Sequence, residues 1–430
     1  MQHRKKFITA VVSNAAGEIF DLDGYAAVGM AGSSLIPLAT DDTMNMPFGS
    51  ELMRLPDRKP AVYNIRQHRI EILKENPYSP DEPVFPVAAF NSPGYVVSFA
   101  SAYEENETAG FLPLFSYGAV GWHKGRFRSA VILVDREKRQ DLRRMKPEEV
   151  VAGIRKIQKE MPNNRLETHL EKCAVEYGCP AAKNFFIGRY EAPLPTSPRC
   201  NARCFGCLSL QKGTEIPHSQ DRIAFKPTSG EIAQVALFHI RRVKHSVVSF
   251  GQGCEGEPLL AADVIEPAIK KIRSKTRSGT INMNTNGSRP GILTKLFEAG
   301  LDSVRISLNS VRRPCYNAYF RPKGYAFEDV VKSIEAALKK KKFVSVNYLN
   351  SPGFTDTPEE FNALTELMSV YPVNMIQWRN LNFDPKKYWK MMSAVSRSGK
   401  PMGMHRITSQ IKETFPNVKH GYFNPPKEKF

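Results

Sequence analysis

The sequence predicts an α/β protein, with a partial (β/α)6 barrel behind a separate α+β N-terminal domain. Three observations carry this. From about residue 186 onward, strand-like and helix-like runs alternate six times. The strand-like runs are largely apolar, as expected of a parallel sheet covered by helices. Six units of about 30 residues build a TIM-like barrel but do not close the eight-stranded one. The expected divisions are 1–185 for the N-terminal domain, 186–397 for the barrel, and 398–430 for a helix and an extended tail.

The elements follow in order. FITAVV, AAVGMA, VAAF, YVVSFAS and SAVILVD are short apolar or alternating runs broken by Gly, Pro, Asn and Asp, and they predict strands. Residues 46–60 and 75–86 read as loops. KPEEVVAGIRKIQKEM and LETHLEKCAVEYG have helical periodicity, with PNN between them. YEAPLPTSPR, with three prolines, reads as a hinge. A strand near 186–192 and the helix 229–243 then open the barrel. The strands SVVSFG (246–251), GTINMNTNG (279–287), DSVRISLNS (302–310), FVSVNYLN (343–350) and VNMIQWRNLNF (373–383) each precede a helix-like run.

Composition sets the outer limits. Hydrophobic residues make up 41% of the 430, too many for a disordered chain. No run approaches 18 apolar residues, so no membrane span is expected. The basic opening is followed at once by acidic residues, which argues against a secretory signal. Seven cysteines, an odd number, do not make a disulfide scaffold, and a reducing cytoplasm is the expected compartment. Lys and Arg number 61 against 43 Asp and Glu, a net charge of +18. That permits a nucleic-acid partner. The basic residues are scattered, however, and the run at 339–342 ends a predicted helix, where cations suit the macrodipole.

Three of the seven cysteines fall together in SPRCNARCFGCLSL, as Cys200, Cys204 and Cys207. Chance gives this spacing roughly 2 times in 1,000. A structural zinc wants four ligands, usually from two spaced pairs, and His218 is the available fourth. A dithiol redox pair needs only Cys204 and Cys207. A 4Fe–4S cluster normally takes four thiolates, so three leave one iron open for another ligand.

With Phe205 before the third cysteine, C-x3-C-aromatic-x-C resembles the radical S-adenosylmethionine (radical SAM) superfamily. The resemblance covers roughly 190–395. It implies one 4Fe–4S cluster on Cys200, Cys204 and Cys207, with S-adenosylmethionine bound to the remaining iron through its amino and carboxylate groups. It implies reductive cleavage to a 5′-deoxyadenosyl radical that abstracts hydrogen from a substrate. It also implies a reductant such as flavodoxin or ferredoxin.

Other segments carry the resemblance further. Glu255-Gly256-Glu257-Pro258 is similar to the superfamily's G-G-E-P turn, with a glutamate in the place of the first glycine. There Gly256 allows close backbone approach, and Glu257 can accept hydrogen bonds from an ammonium, which the resemblance implies is the amino group of the methionine moiety. Thr285-Asn286-Gly287 resembles a common strand ending, and Asn286 can turn the chain or bond a ligand. Arg305 and Ser307 resemble residues near the carboxylate and ribose, and their shared parity puts both on one strand face. Asn347, Gln377, Arg379 and Asn380 close the last strands, where parallel barrels place their sites. Asn382 and Asp384 read equally as turn or cap residues.

Cys173 and Cys179 read as helix-packing thiols or as part of a second centre, and Cys254 as a packing thiol or a substrate contact. The aromatic and basic stretch 117–127 reads as a hairpin rim or a nucleic-acid contact. A small molecule or peptide held between the domains is the expected substrate, with RNA as the alternative raised by the charge. A cluster-bearing binding or electron-transfer protein is the non-enzymatic alternative, and the glutamate in the glycine turn is its support.

Overall fold

The computed structural model describes residues 6–137, 141–209 and 215–430. Arg4 and Lys5 of the basic opening, Lys138 and Arg139 of the 136–144 run, and Leu210 at the end of the cysteine segment lie outside these residues.

Residues 7–135 are β-rich, and a twelve-stranded antiparallel system is built on the hairpin of Thr9–Ser13 with Ile19–Ala31. Two segments that read as loops contain strands. Glu51–Arg54 pairs with Phe85–Phe90, and Glu75–Asn76 pairs with Ser79–Pro83. Their pairing partners are distant in sequence or supplied by a turn, so local alternation alone does not reveal them.

Three helices follow, α1 (Pro147–Glu160), α2 (Arg165–Val175) and α3 (Pro180–Phe186). Ile154, Ile157, Leu170, Phe185 and Phe186 from these helices are buried in the same apolar cluster as the barrel residues. α2 begins at Asn164, whose side chain accepts from the amides of Leu166 and Glu167.

The barrel is a seven-stranded parallel sheet whose strands lie side by side in chain order: Glu191–Pro193, Val247–Phe250, Thr280–Thr285, Ser303–Leu308, Phe343–Asn350, Met375–Asn380 and Lys419–Gly421. Around it run α4 (Ser229–Arg242), α5 (Ala262–Lys275), α6 (Pro290–Ala299), α7 (Arg313–Phe320), α8 (Phe327–Lys339), α9 (Pro358–Val370) and α10 (Pro385–Val395). The helix α11 (Met404–Thr414) precedes the seventh strand, which is the extended segment expected in the tail. α4 starts with a reciprocal cap between Thr228 and Glu231, and α8 ends in the lysine run at Lys339.

The barrel strands are not apolar throughout. Ile281, Met283, Val304, Ile306, Val344, Val346, Ile376 and Trp378 are buried on the helix side. The alternate residues are Ser249, Asn282, Asn284, Arg305, Ser307, Asn347 and Gln377. Period-2 alternation puts this second set on the inner face. The inner face carries no helix to cover it, so it is free to be polar.

The β-rich domain docks on the carboxyl ends of the last strands. Asn380 Oδ1 accepts from the Val97 amide at 2.8 Å, and Asn380 Nδ2 donates to the Tyr95 carbonyl at 3.0 Å. Asn350 Nδ2 donates to the Val97 carbonyl at 2.7 Å. Asn380, a candidate substrate contact by sequence, is therefore occupied in this seam. Asp384 caps α10 through the amides of Lys386 and Lys387, and it also meets Arg58 and the Tyr103 hydroxyl.

Candidate functional site

The cysteine loop leaves the end of the first barrel strand and is fixed on two sides. On one side it is hydrogen-bonded to the end of α7, with the amides of Arg203 and Phe205 donating to the carbonyls of Phe320 and Tyr319 at 3.0 and 3.2 Å. Phe205 lies between the Arg321 guanidinium, 4.0 Å from its ring centre, and the Phe383 ring at 5.9 Å. Gly206 fills a space that admits no Cβ, because a methyl there would overlap the Tyr319 hydroxyl.

On the other side the loop is stitched to the turn after the second strand. The Gly256 amide donates to the Ser197 carbonyl at 2.6 Å, and the Glu257 amide to the Arg199 carbonyl at 2.8 Å. A Cβ at Gly256 would overlap that Arg199 carbonyl, so the backbone that approaches this glycine is the chain entering Cys200. Glu255 stands where the resembling motif has glycine, and it has a structural task. Its Oε2 accepts from the amides of Thr196 and Ser197 at 2.8 and 3.0 Å, and its Oε1 from those of Gly251 and Gln252 at 2.6 and 2.8 Å. One buried carboxylate thus holds both loops together. The support that this glutamate lent to a non-enzymatic reading falls away.

Glu257 is buried and accepts from the Leu259 amide at 3.1 Å, the Asn286 amide at 2.8 Å and the Thr285 hydroxyl. Burial pushes its carboxyl up to about 7 in spite of these donors. Pro258 opens the short 3-10 turn that follows. Asn286 Nδ2 donates to Asn201 Oδ1 at 2.9 Å, and Asn201 in turn donates to Ser288 at 2.9 Å. Asn201, between the first two cysteines, was not singled out by sequence; only its place inside the motif pointed to it.

Burial pushes the Cys200 thiol up to about 11, with the Glu257 charge adding to it, and drives Cys204 upward as well. Such thiols become thiolates when a cation takes them. Arg222 donates to Cys207 Sγ at 3.4 Å. His218 faces Asp221 at 3.5 Å.

Inside the barrel a polar network crosses the sheet. Asn424 Nδ2 reaches Glu191 at 2.9 Å, and Gln377 links Asn424 at 3.1 Å to Arg305 at 3.2 Å. Arg305 is largely enclosed, with part of its surface still exposed. Its Nε and the Oδ1 of Asn347 have no partner. Burial and the charge of Arg379 pull the Arg305 guanidinium down to about 9. Asn347 Nδ2 donates to Ser307 Oγ at 3.5 Å. Arg379 donates to the Tyr422 carbonyl at 3.0 Å and stacks on its ring. A buried guanidinium with an unpartnered donor is suited to an anionic ligand.

Three soft donors on one loop, an acid and an amide beside them, and an arginine on the inner face of a parallel half-barrel suit an iron–sulfur cluster and an anionic ligand. Residues 194–367 match the model of the radical SAM superfamily. The cofactors of this class are a 4Fe–4S cluster and S-adenosylmethionine, and the thiols and the unpartnered lumen groups fit both.

Among curated proteins, GTP 3′,8-cyclase of Chlorobaculum tepidum is 27% identical over 223 residues, 51% of this chain and 60% of that protein. GTP 3′,8-cyclase of Heliobacterium modesticaldum is 31% identical over 179 residues, 41% of this chain and 50% of that protein. Molybdenum cofactor biosynthesis protein 1 of Bos taurus is 29% identical over 216 residues, 49% of this chain and 31% of that protein. The chain spans less than two thirds of each of these relatives. Among solved structures, Streptococcus suis SuiB bound to S-adenosylmethionine aligns at a TM-score of 0.40 and 11% identity, covering 62% of this chain and 61% of that one.

The remaining cysteines fall elsewhere. None of the seven is joined in a disulfide. Cys315 is buried in α7. Cys254 joins Cys173 and His169 of α2. No helix among the described residues is long and apolar enough to cross a membrane.

Proposed function

We propose that this chain is a radical SAM enzyme that generates a 5′-deoxyadenosyl radical and removes hydrogen from a small anionic substrate in the barrel lumen. Cys200, Cys204 and Cys207 would hold the cluster, which when bound supplies the electron that cleaves the sulfonium of S-adenosylmethionine. Glu257, with Pro258 behind it, would receive the ammonium of the methionine moiety. Gly256 and Asn286 fix the two backbones on either side, and Phe205 walls the loop. Arg305, Ser307 and Asn347 would take the carboxylate, ribose or substrate anion. The observation that carries the reading is the unpartnered Nε of Arg305 on the inner face of a barrel whose first strand leads into the three thiols. Because curated relatives are named GTP 3′,8-cyclase, a purine nucleoside triphosphate is the first substrate to test. The electron would come from a flavodoxin- or ferredoxin-type reductant.

The test is anaerobic reconstitution with iron and sulfide, then dithionite and S-adenosylmethionine with and without GTP, followed by chromatography. 5′-Deoxyadenosine from the wild type and none from Cys204→Ala is the expected result. A full cluster without 5′-deoxyadenosine under any substrate condition would overturn it.

A second reading, an RNA substrate, has its own support. A surface cavity of about 580 Å³ is lined by Arg143, Arg144, Lys146, Arg189 and Lys244. RNA binding that weakens steeply with salt, and weakens further on charge reversal of Lys146 and Lys244, would favour it.

A further inference from the structure

We infer that His169, Cys173 and Cys254 form a second metal centre, separate from the loop of three cysteines, which takes a single divalent transition ion, zinc by its ligand set. The inference does not rest on the radical chemistry.

The donors come from two segments whose backbones are independently fixed. His169 and Cys173 are four residues apart on α2, so one helix face presents both. Cys254 sits in the loop held by Glu255, and its carbonyl accepts from the Ile223 amide at 2.8 Å. The three ligand atoms all lie within 4.8 Å of one another, and among the described residues this is the grouping of its kind. His169 Nε2 and Cys173 Sγ are 3.6 Å apart. A tetrahedral zinc with Zn–S near 2.3 Å and Zn–N of about 2.0–2.1 Å sets that edge at about 3.5–3.6 Å.

The surroundings agree. Cys173 and Cys254 are buried in the apolar core, and the His169 ring stands edge-on to Phe225 at 6.4 Å. Two thiolates neutralise a divalent ion and the imidazole adds no charge, so the occupied site is neutral in its apolar shell. Cys179 is a candidate for the fourth ligand, since its backbone is held to that of Cys173 by an amide–carbonyl bond of 2.9 Å. The ion would tie the helices before the barrel to the turn that carries Glu257, three residues from Cys254.

The test uses the full chain with Cys200→Ala, Cys204→Ala and Cys207→Ala, which cannot hold a cluster on the loop. Metal analysis after purification without chelator is expected to give about one zinc per chain, falling about tenfold when Cys254→Ala is added. Cobalt titration of the stripped protein is expected to give intense visible bands and near-ultraviolet charge transfer from thiolate ligands, lost in His169→Ala. The same titration on the stripped wild type, compared with its own His169→Ala variant, serves if the triple variant is insoluble. Less than a tenth of an equivalent of metal together with a pale octahedral cobalt spectrum would overturn the site. So would acid-labile sulfide in the triple variant, which would mean a second cluster, or a Cys173–Cys254 disulfide in the protein purified without oxidant.

Discussion

Arg58 and Asp384 are 326 positions apart in the chain and 2.9 Å apart in space, with both side chains almost wholly removed from solvent. The guanidinium belongs to the β-rich domain and the carboxylate to the cap of α10. Glu105 at 3.1 Å and the Tyr103 hydroxyl at 3.1 Å complete the cluster.

Arg58→Met leaves the Asp384 carboxylate buried without its cation. Breaking such a pair costs about 3–5 kcal/mol. Urea titration is expected to show a loss of that order, and Asp384→Asn, which keeps a capping oxygen, should lose less. Equal stability of Arg58→Met and the wild type would place the strength of the seam elsewhere.

Glu257 gives a pH signature. Its folded value, about 7, lies above the ordinary 4.5, so the folded chain holds the proton longer than the unfolded one. Its contribution is fully present below pH 4.5 and is lost as pH rises through 7. The full span corresponds to about 3 kcal/mol. The apoprotein should lose stability relative to Glu257→Gln between pH 5 and 7.5, and differential scanning across that window reads the change in slope. Parallel profiles for the two proteins would refute the shifted carboxyl.

Gly256→Ala places a methyl into the Arg199 carbonyl. The expected outcome is an iron content after reconstitution as low as that of Cys200→Ala, although no thiol is touched. Full iron incorporation would show that the loop moves aside freely.

Arg305→Met replaces an enclosed guanidinium by an apolar chain of similar length. The lone charge is a cost in the ligand-free protein, so the variant should melt higher. Binding of S-adenosylmethionine or substrate should weaken tenfold or more, by calorimetry, with the cluster absorbance intact. A lower melting temperature with unchanged affinity would make Arg305 structural.

The barrel was legible because its signal is local. Each strand from Val247–Phe250 to Met375–Asn380 lies inside a run that alternation and turn residues mark out. The three cysteines were legible because their spacing is rare. The β-rich domain was less so, since Glu51–Arg54 depends on Phe85–Phe90, a long-range partner that propensity does not contain. In the site, Glu255 looked like a defect in a glycine turn, and only coordinates show four amides converging on it. Asn380 and Gln377 sit three residues apart on one strand. One serves the seam and the other the lumen, as their opposite parity on the strand requires, but the sequence does not show that a second domain waits at position 380.

Asn350 and Asn380 grip only the main chain of residues 95 and 97. The side chains at those two positions take no part in these three bonds, so drift there leaves them intact. The asparagines have no such freedom, because a leucine at 380 forfeits a donor and an acceptor together. Variation across this boundary is therefore expected to be lopsided. At residues 95 and 97 the β-rich domain can change its side chains and keep these three bonds, while the barrel keeps its two amides.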